Sequence, residues 1–272
     1  MAHCPAVDVP EDQQLWIYCP SKAGAYVMTI VFALTTVAHI AQAFIHRKPY
    51  TVVIIIAGIL QTLSYIMRIL SIENPTSLGF YAISLVLILI APIFTNAFVY
   101  MVMGRMTWNF TSKAKIGGVR PWRLGLIFVL LDILSFFVQI IGGIKAANPK
   151  GSTEAGFHIY MAGIAIQQLF IIIFFIFALS FHRIMNHEGG KPKMAYALLY
   201  TLYLSLLCIT IRVIFRLCEY AEGAKSPTVS HEIYQYLLDS LPMLVALVSF
   251  NIIHPGVVMP DLQCLACFPK IW

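Results

Sequence analysis

Long apolar stretches follow one another along this chain and are separated by short polar connections. Seven of them reach the roughly 20 residues that a membrane-spanning α-helix needs: residues 25–44, 51–70, 80–102, 124–144, 159–181, 195–218 and 234–253. Their apolar positions are continuous rather than alternating, which is typical of helices and not of the strands of a membrane barrel. The pattern predicts an all-α membrane protein, a bundle of seven transmembrane helices.

We expect three parts along the chain: an extracellular N-terminal segment (1–24), the seven-helix domain (25–256) and a cytoplasmic tail (257–272). Composition agrees with this division, because 60% of the 272 residues are hydrophobic, 11% are charged and the mean hydropathy is +0.82. These values exclude a soluble domain of this size.

The formal charge of +6 arises mainly on one side of the predicted bundle. Eleven of the 18 Lys and Arg residues fall on the side that holds the connection 104–123. Cytoplasmic loops carry such an excess, so we predict that the N-terminus is outside and the C-terminus is cytoplasmic. The basic residues are expected to meet anionic lipid headgroups rather than nucleic acid. The 104–123 loop is also the surface on which we expect any cytoplasmic partner.

The first 24 residues contain Asp8, Glu11 and Asp12 and lack the basic start of a cleavable signal peptide. We therefore expect the first membrane helix to act as the targeting signal. Cys4 and Cys19 lie in this segment, where an oxidising exterior would permit a disulfide between them. Two free thiols are the alternative.

Charged residues inside the sixth and seventh windows are the main candidates for function. Both helices show spacings of four and three residues: Arg212, Arg216 and Glu219 on the sixth, and Glu232, Tyr236 and Asp239 on the seventh. Residues at these spacings share one face of a helix. A charge at the centre of a membrane helix costs about 2.5 to 3.5 kcal/mol. These side chains must therefore be paired, hydrated or both.

Other helices add polar groups to the same region. The second carries Arg68, the fourth carries Asp132 near its middle and Gln139 beyond it, and Pro92 in the third releases a backbone carbonyl. The alternative for Arg68 is that its side chain only extends to the lipid headgroups of the outer leaflet.

Alternating helix directions place most of these groups in the outer half of the bundle. We predict there a polar cavity for the headgroup of an amphipathic lipid, lined by Arg68, Asp132, Gln139, Arg212, Arg216, Glu219, Tyr236 and Asp239. Within this set, three arginines balance three acids. The alternative is an ion-pair network that only holds helices 2, 4, 6 and 7 together.

Short motifs occur in a fixed order along nearly the whole chain: LSYIMR (63–68), AP (91–92), Tyr100 with GR (104–105), Asp132 with VQIIGG (138–143), Gln167, RVIFRLCE (212–219), HEIYQYLLD (231–239) and HPG (254–256). The set resembles the fungal seven-transmembrane lipid-translocating exporters, the resistance-to-aminocholesterol-like proteins. The resemblance implies a plasma-membrane or endomembrane protein linked to export of sphingoid bases or other amphipaths, stress resistance and lipid asymmetry. One departure is in the second helix, where the family often has Glu before a Gly-Tyr pair and this chain has Gln61 and Ser64, which removes a possible ion pair.

Three functions remain open at this point. The first is a transporter of amphipathic lipids; no Walker motif is present, so transport is facilitated or coupled to a gradient, with Asp132, Glu219 and Asp239 as possible proton carriers. The second is a seven-helix lipid receptor or sensor. The third is an intramembrane zinc hydrolase, whose only candidate ligands are His39, Asp132 and His254. We favour a protein that is not an enzyme and has no cofactor.

Overall fold

The computed structural model describes residues 15–16, 18–111, 121–146, 153–221 and 231–259 of the chain. Six long helices come first: α1 (Lys22–His46), α2 (Val52–Glu73), α3 (Leu78–Phe110), α4 (Pro121–Ala146), α5 (Thr153–Glu188) and α6 (Lys193–Ala221). A 3₁₀ turn, Pro49–Thr51, joins α1 to α2.

The seventh span, Glu232–Val258, is divided into four parts: α7 (Glu232–Tyr234), a π-helical segment (Gln235–Ser240), α8 (Leu241–Ile252) and α9 (Pro255–Val258). Six of the seven predicted windows lie within spans that are long and apolar enough to cross a membrane, and the fourth window, 124–144, begins one residue before its span, Gly125–Ala146. The described chain is helical without strands. The prediction of a seven-helix, multi-pass membrane protein is confirmed, whereas the boundaries of the terminal segment and tail stay predictions.

The connection between α3 and α4 is shorter than the loop 104–123 predicted from the sequence. Helix α3 continues to Phe110, and α4 begins at Pro121. Hydropathy marks only where an apolar run ends. A helix can continue beyond that point as long as its backbone hydrogen bonds form, and no proline stands between Gly104 and Pro121 to prevent them. Arg105 is therefore a helical residue, and its guanidinium lies 4.1 Å from the centroid of the Tyr50 ring.

Neighbouring helices run in opposite directions, so alternate helix ends meet at each end of the bundle. At the end where α1 begins, Lys22 Nζ lies 3.7 Å from Glu73 Oε1 at the end of α2. We call this the N-terminal end. At the opposite C-terminal end, the rings of His46 and His254 stack with centroids 4.5 Å apart.

Close packing is strongest between α4 and α5, because small residues let the two backbones approach. A methyl group on Gly142 would collide with the backbone nitrogen of Tyr160, and one on Gly156 would collide with that of Ala146. The approach brings the side chains of Gln139 and Gln167 together, with a hydrogen bond of 3.0 Å from Nε2 to Oε1. Small residues act in this way in membrane bundles, where dispersion replaces the hydrophobic effect.

Candidate functional site

Arg212 and Arg216 of α6 meet Asp239 of the seventh span in the interior of the bundle. Arg216 donates from Nε to Asp239 Oδ1 (3.1 Å) and from Nη2 to Oδ2 (3.0 Å), a two-point fork. Arg212 Nε lies 3.1 Å from the same Oδ1, and Arg216 Nη1 donates to Glu219 Oε2 at 3.2 Å. Asp239 is fully buried, and the two arginines are only 4% and 6% exposed. We call these four residues the arginine–aspartate cluster.

The cluster is also bound to α3 through a backbone carbonyl. Arg212 Nη2 donates to the carbonyl oxygen of Ile88 at 2.6 Å. In an unbroken α-helix that oxygen would accept from the N–H four residues later. That position is Pro92, which has no N–H. The released carbonyl predicted from the sequence is therefore Ile88's, and an arginine from another helix binds it.

The π-helical segment sets the position of Asp239. It ends two residues before Pro242, whose ring cannot follow a regular helical turn without a clash with a preceding carbonyl. Within it, Ser240 Oγ donates to the carbonyl of Gln235, five residues back, at 3.3 Å. Tyr65 of α2 and Ser240 also share a short hydroxyl–hydroxyl hydrogen bond. The sequence prediction assumed a regular helix here, and Pro242 was the signal that it overlooked.

A cavity of about 30 Å³ lies beside the two arginines. Its walls come from α3, α4, α5 and α6, and its polar lining consists of Gln139, Tyr160, Gln167, Arg212 and Arg216. Arg212 Nη1 is buried without a hydrogen-bond partner among the described residues. A space of this size holds about one water molecule, whereas sites for small ligands measure about 300 to 1,000 Å³. The conformation is therefore closed to a lipid headgroup.

Arg68 belongs to a second cluster, at the N-terminal end of the bundle. Its Nη2 donates to Glu232 Oε1 (2.8 Å) and to Tyr18 Oη (3.0 Å). Tyr236 donates to the same Glu232 oxygen at 2.9 Å, and the backbone N–H of Ser21 donates to the other at 2.6 Å. The guanidinium also lies 4.8 Å from the centroid of the Trp16 ring.

These contacts change the charge balance predicted from the sequence. Arg68 is 4% exposed, so it does not simply extend toward headgroups. Its carboxylate partner is Glu232, a residue left out of the predicted balance because it stands at the very start of its helix. Three arginines instead meet three acids of the sixth and seventh spans, which are Glu219, Glu232 and Asp239.

Asp132, the remaining predicted acid, is in no ion pair among the described residues. Its Oδ2 accepts from Asn96 Nδ2 and from Tyr100 Oη, each at 3.0 Å. Its Oδ1 and the Asn96 Oδ1 are buried and have no hydrogen-bond partner in the described part of the chain. Asp132 itself is 0% exposed. The structure therefore places it in a neutral polar group with α3 and not among the arginines.

The predicted site residues thus divide into three groups. Gln139, Arg212, Arg216, Glu219 and Asp239 form or adjoin the arginine–aspartate cluster, Arg68 and Tyr236 lie with Glu232, and Asp132 lies with α3. Residues that the sequence prediction did not assign to the site include Tyr18, Tyr65, Asn96, Tyr100, Tyr160, Gln167, Glu232 and Ser240. Most are uncharged, and membrane helices carry many such residues for packing, so residue type alone does not single them out.

The remaining predicted groups are at the two ends. Cys19 is disulfide-bonded, whereas Cys4, its predicted partner, lies outside the described residues. At the C-terminal end, His39 Nε2 is 3.1 Å from the carbonyl oxygen of Leu247, and His254 Nδ1 accepts from the N–H of Gly256 at 3.1 Å. In the described ranges, no three His, Cys, Asp or Glu side chains come together as metal ligands. The zinc-hydrolase alternative has no ligand set there.

Comparison with known proteins shows the family of this chain. Residues 54–262 match the family model described as RTA1 like protein, which is more than half of the chain. The chain belongs to the RTA1-like family. The resemblance seen in the motifs is thereby confirmed.

Several fungal relatives are similar to this RTA1-like chain over most of its length. The probable lipid transporter atnI of Emericella nidulans is 35% identical over 273 residues, which cover 94% of this chain and 70% of the relative. Protoporphyrin uptake protein 1 of Saccharomyces cerevisiae is 29% identical, over 88% of this chain and 91% of the relative. The sphingoid long-chain base transporter RSB1 of the same species is 26% identical, with coverages of 87% and 72%. No solved structure matches the RTA1-like chain.

Proposed function

We propose that this protein moves amphipathic lipids, such as sphingoid long-chain bases, across a membrane, and that the lipid headgroup binds at the arginine–aspartate cluster. The single observation that carries the proposal is the buried cluster of Arg212, Arg216 and Asp239 beside a polar cavity. It lies inside a seven-span protein whose relatives include a probable lipid transporter and a sphingoid long-chain base transporter.

The chemistry of the cluster suits a headgroup that carries both donors and acceptors. Guanidinium groups donate to hydroxyl or phosphate oxygens in a planar fork. Glu219, whose side chain is 15% exposed, offers an acceptor and a negative charge to an ammonium group. The aliphatic tail would lie against the apolar helix faces, where side chains such as Phe44 and Ile252 are more than three-quarters exposed on the outside of the bundle.

Transport requires the described closed conformation to open. A cavity of about 30 Å³ does not admit a headgroup, so the site must widen before it binds lipid. Two features provide places where spans can bend: Pro92 in α3 and the π-helical segment in the seventh span. Kinks at proline and at π-helical segments are common in membrane helices. Pro92 lines the cavity beside the cluster, and the π-helical segment contains Asp239 of the cluster.

We propose that the N-terminal end of the bundle is outside the cytoplasm and the C-terminal end inside it. The excess of Lys and Arg near the C-terminal end supports this orientation. The membrane is the plasma membrane or an endomembrane. The basic connection after α3 is the surface for which we propose a cytoplasmic partner.

Reconstitution tests the function. The purified full chain in liposomes should move a fluorescent sphingoid long-chain base between leaflets faster than protein-free liposomes do. Arg212→Gln should slow this movement, because it removes one of the two guanidinium groups, with its positive charge, beside the cavity. Glu73→Gln, at an exposed position near the N-terminal end, is the matched control and should keep the rate. A rate equal to that of empty liposomes, with saturable binding of the probe, would instead assign a receptor or sensor.

A further inference from the structure

Asp132 is a second buried acid whose surroundings differ from those of the arginine–aspartate cluster. It lies near the middle of α4, with no exposed surface. Two neutral donors, Asn96 Nδ2 and Tyr100 Oη, both bind one of its oxygens, Oδ2. The other oxygen, Oδ1, is buried and receives no hydrogen bond from any described residue.

Among the described residues, no positive charge faces this carboxyl group from the helices that pack against it. The titratable residues of α3 are Tyr81, Tyr100 and Arg105, and the Arg105 guanidinium lies over the Tyr50 ring. Helix α5 has no Asp, Glu, Lys, Arg, His, Cys or Tyr between Tyr160 and His182. On α4 itself the nearest charged residues are Arg123 and Lys145, at least two helical turns away.

A buried carboxylate without a cation and with a bare oxygen is strongly disfavoured, whereas a neutral carboxylic acid is tolerated. The pattern of contacts is that of the acid: Oδ2 acts as the carbonyl oxygen that accepts two hydrogen bonds, and Oδ1 is the place for the proton. A neutral acid needs no counter-ion, which explains why the three arginines pair with Asp239, Glu219 and Glu232 and not with Asp132.

Helix α3 connects this carboxyl group to the headgroup cluster. Ile88, Pro92, Asn96 and Tyr100 follow one another at intervals of four residues. The Ile88 carbonyl binds Arg212, and the side chains of Asn96 and Tyr100 bind Asp132. A movement of α3 at Pro92 therefore changes the contacts of both groups together.

We propose that Asp132 is a proton-binding site of the membrane interior, protonated in this conformation, and that it releases its proton when α3 moves to open the headgroup site. In the release step the O–H bond at Oδ1 breaks, and the proton passes to water that enters with the opening. In the return step the carboxylate takes a proton from a hydronium ion, which becomes water, and the site closes. The coupling part of this inference rests on the proposed transport function, whereas the proton-binding part does not.

Infrared spectroscopy of the full chain in lipid bilayers tests proton binding without any transport assay. With ¹³C-labelled aspartate, the protein at neutral pH should show the carbonyl stretching band of a protonated Asp. The band should be absent in Asp132→Asn and present in Asp261→Asn, a control in the predicted tail. Tyr100→Phe should retain the band at a higher frequency, because one hydrogen bond to the carbonyl oxygen is lost. A spectrum without the band, or a band that neither Asp132→Asn nor Tyr100→Phe changes, would overturn the proposal.

Proteoliposomes with a trapped pH-sensitive dye test the coupling. Movement of a fluorescent sphingoid base should be faster with a proton gradient than without one and should be accompanied by proton movement. In Asp132→Asn the rate with the gradient should fall to the rate without it, with no proton movement. Lipid movement without proton movement in the unaltered protein would refute the coupling. Absence of any lipid movement would count against the transport function, while the infrared result still decides proton binding.

Discussion

Asp239 and Asp132 are both fully buried acids in membrane helices, yet their surroundings are opposite. Asp239 uses both oxygens to bind two arginines, with three contacts of 3.0 to 3.1 Å. Asp132 uses one oxygen to bind an amide and a phenol. The first arrangement requires a carboxylate, because two buried guanidinium groups are strongly disfavoured unless a negative charge pairs with them. The arrangement around Asp132 favours a neutral group, because a buried negative charge is costly without a cation.

This difference separates two roles that the sequence had combined. Buried ion pairs are strongly destabilised when one partner is removed, so they hold helices in a fixed relation. A carboxyl group without a counter-ion changes its charge when its access to water changes. The arginine–aspartate cluster therefore joins α6 to the seventh span, and Asp132 is the group for which we propose a response to opening.

Removal of the Asp239 carboxylate should give the largest effect. Asp239→Ala leaves Arg212 and Arg216 buried with like charges and without their shared partner, so we expect a loss of about 3 to 5 kcal/mol in the free energy of unfolding. Titration with SDS in bicelles measures this quantity. Asp132→Ala is the matched truncation of a buried acid without an arginine. An equal loss in the two variants would show that the arginines do not depend on Asp239.

Replacement of the Arg216 guanidinium by an ammonium group should give the next largest effect. Arg216→Lys retains the charge but replaces a planar guanidinium that makes three hydrogen bonds by an ammonium group that cannot bind both Asp239 oxygens in parallel. We expect a loss of about 1.5 to 3 kcal/mol, the size of hydrogen bonds to charged groups. The same measurement on Arg212→Lys should give a smaller loss, since Arg212 has one contact with Asp239. The reverse order would mean that the Ile88 carbonyl is the stronger anchor.

The sequence predicted what depends on composition and period. Seven long apolar runs gave seven spans, since the membrane allows helices little freedom of length. The spacing of Arg212, Arg216 and Glu219 placed these residues on one face of α6, where the structure has them together. The proline rule predicted a released carbonyl in α3, which is now assigned to Ile88.

The sequence did not predict which charges pair, because pairing depends on helix rotation and on local departures from the regular helix. Glu232 is three residues before Gln235, where the π-helical segment begins, and it pairs with Arg68 on a helix more than 160 residues earlier. Hydropathy contains no information on such a register. The same limit explains why Asp132 was grouped with arginines: its partners Asn96 and Tyr100 are neutral and give no charge signal.

A double-mutant cycle tests the energetic coupling between α3 and the arginine–aspartate cluster. Pro92→Ala restores an N–H that can donate to the Ile88 carbonyl, in competition with Arg212 Nη2. The cost of Arg212→Lys should therefore be smaller in the Pro92→Ala background, with a coupling energy of about 1 kcal/mol. Arg216→Lys, which has no described contact with Ile88, is the control pair. If the effects of Arg212→Lys and Pro92→Ala on the free energy of unfolding are additive, α3 and the cluster are not energetically coupled.

Asp132→Asn should have the smallest effect on stability, and its comparison with Asp239→Asn is the most direct test of the difference between the two acids. Each variant exchanges one oxygen for an NH₂ group of nearly the same size. At position 132 the amide oxygen can still accept from Asn96 and Tyr100, so we expect the free energy of unfolding to stay within about 1 kcal/mol, the net size of one hydrogen bond. At position 239 the same exchange removes the charge that two buried arginines share, and the loss should be several times larger. Both are measured by unfolding in bicelles at neutral pH. Equal losses would require Asp132 to be a carboxylate in the folded protein, held by a cation that none of its described contacts supplies.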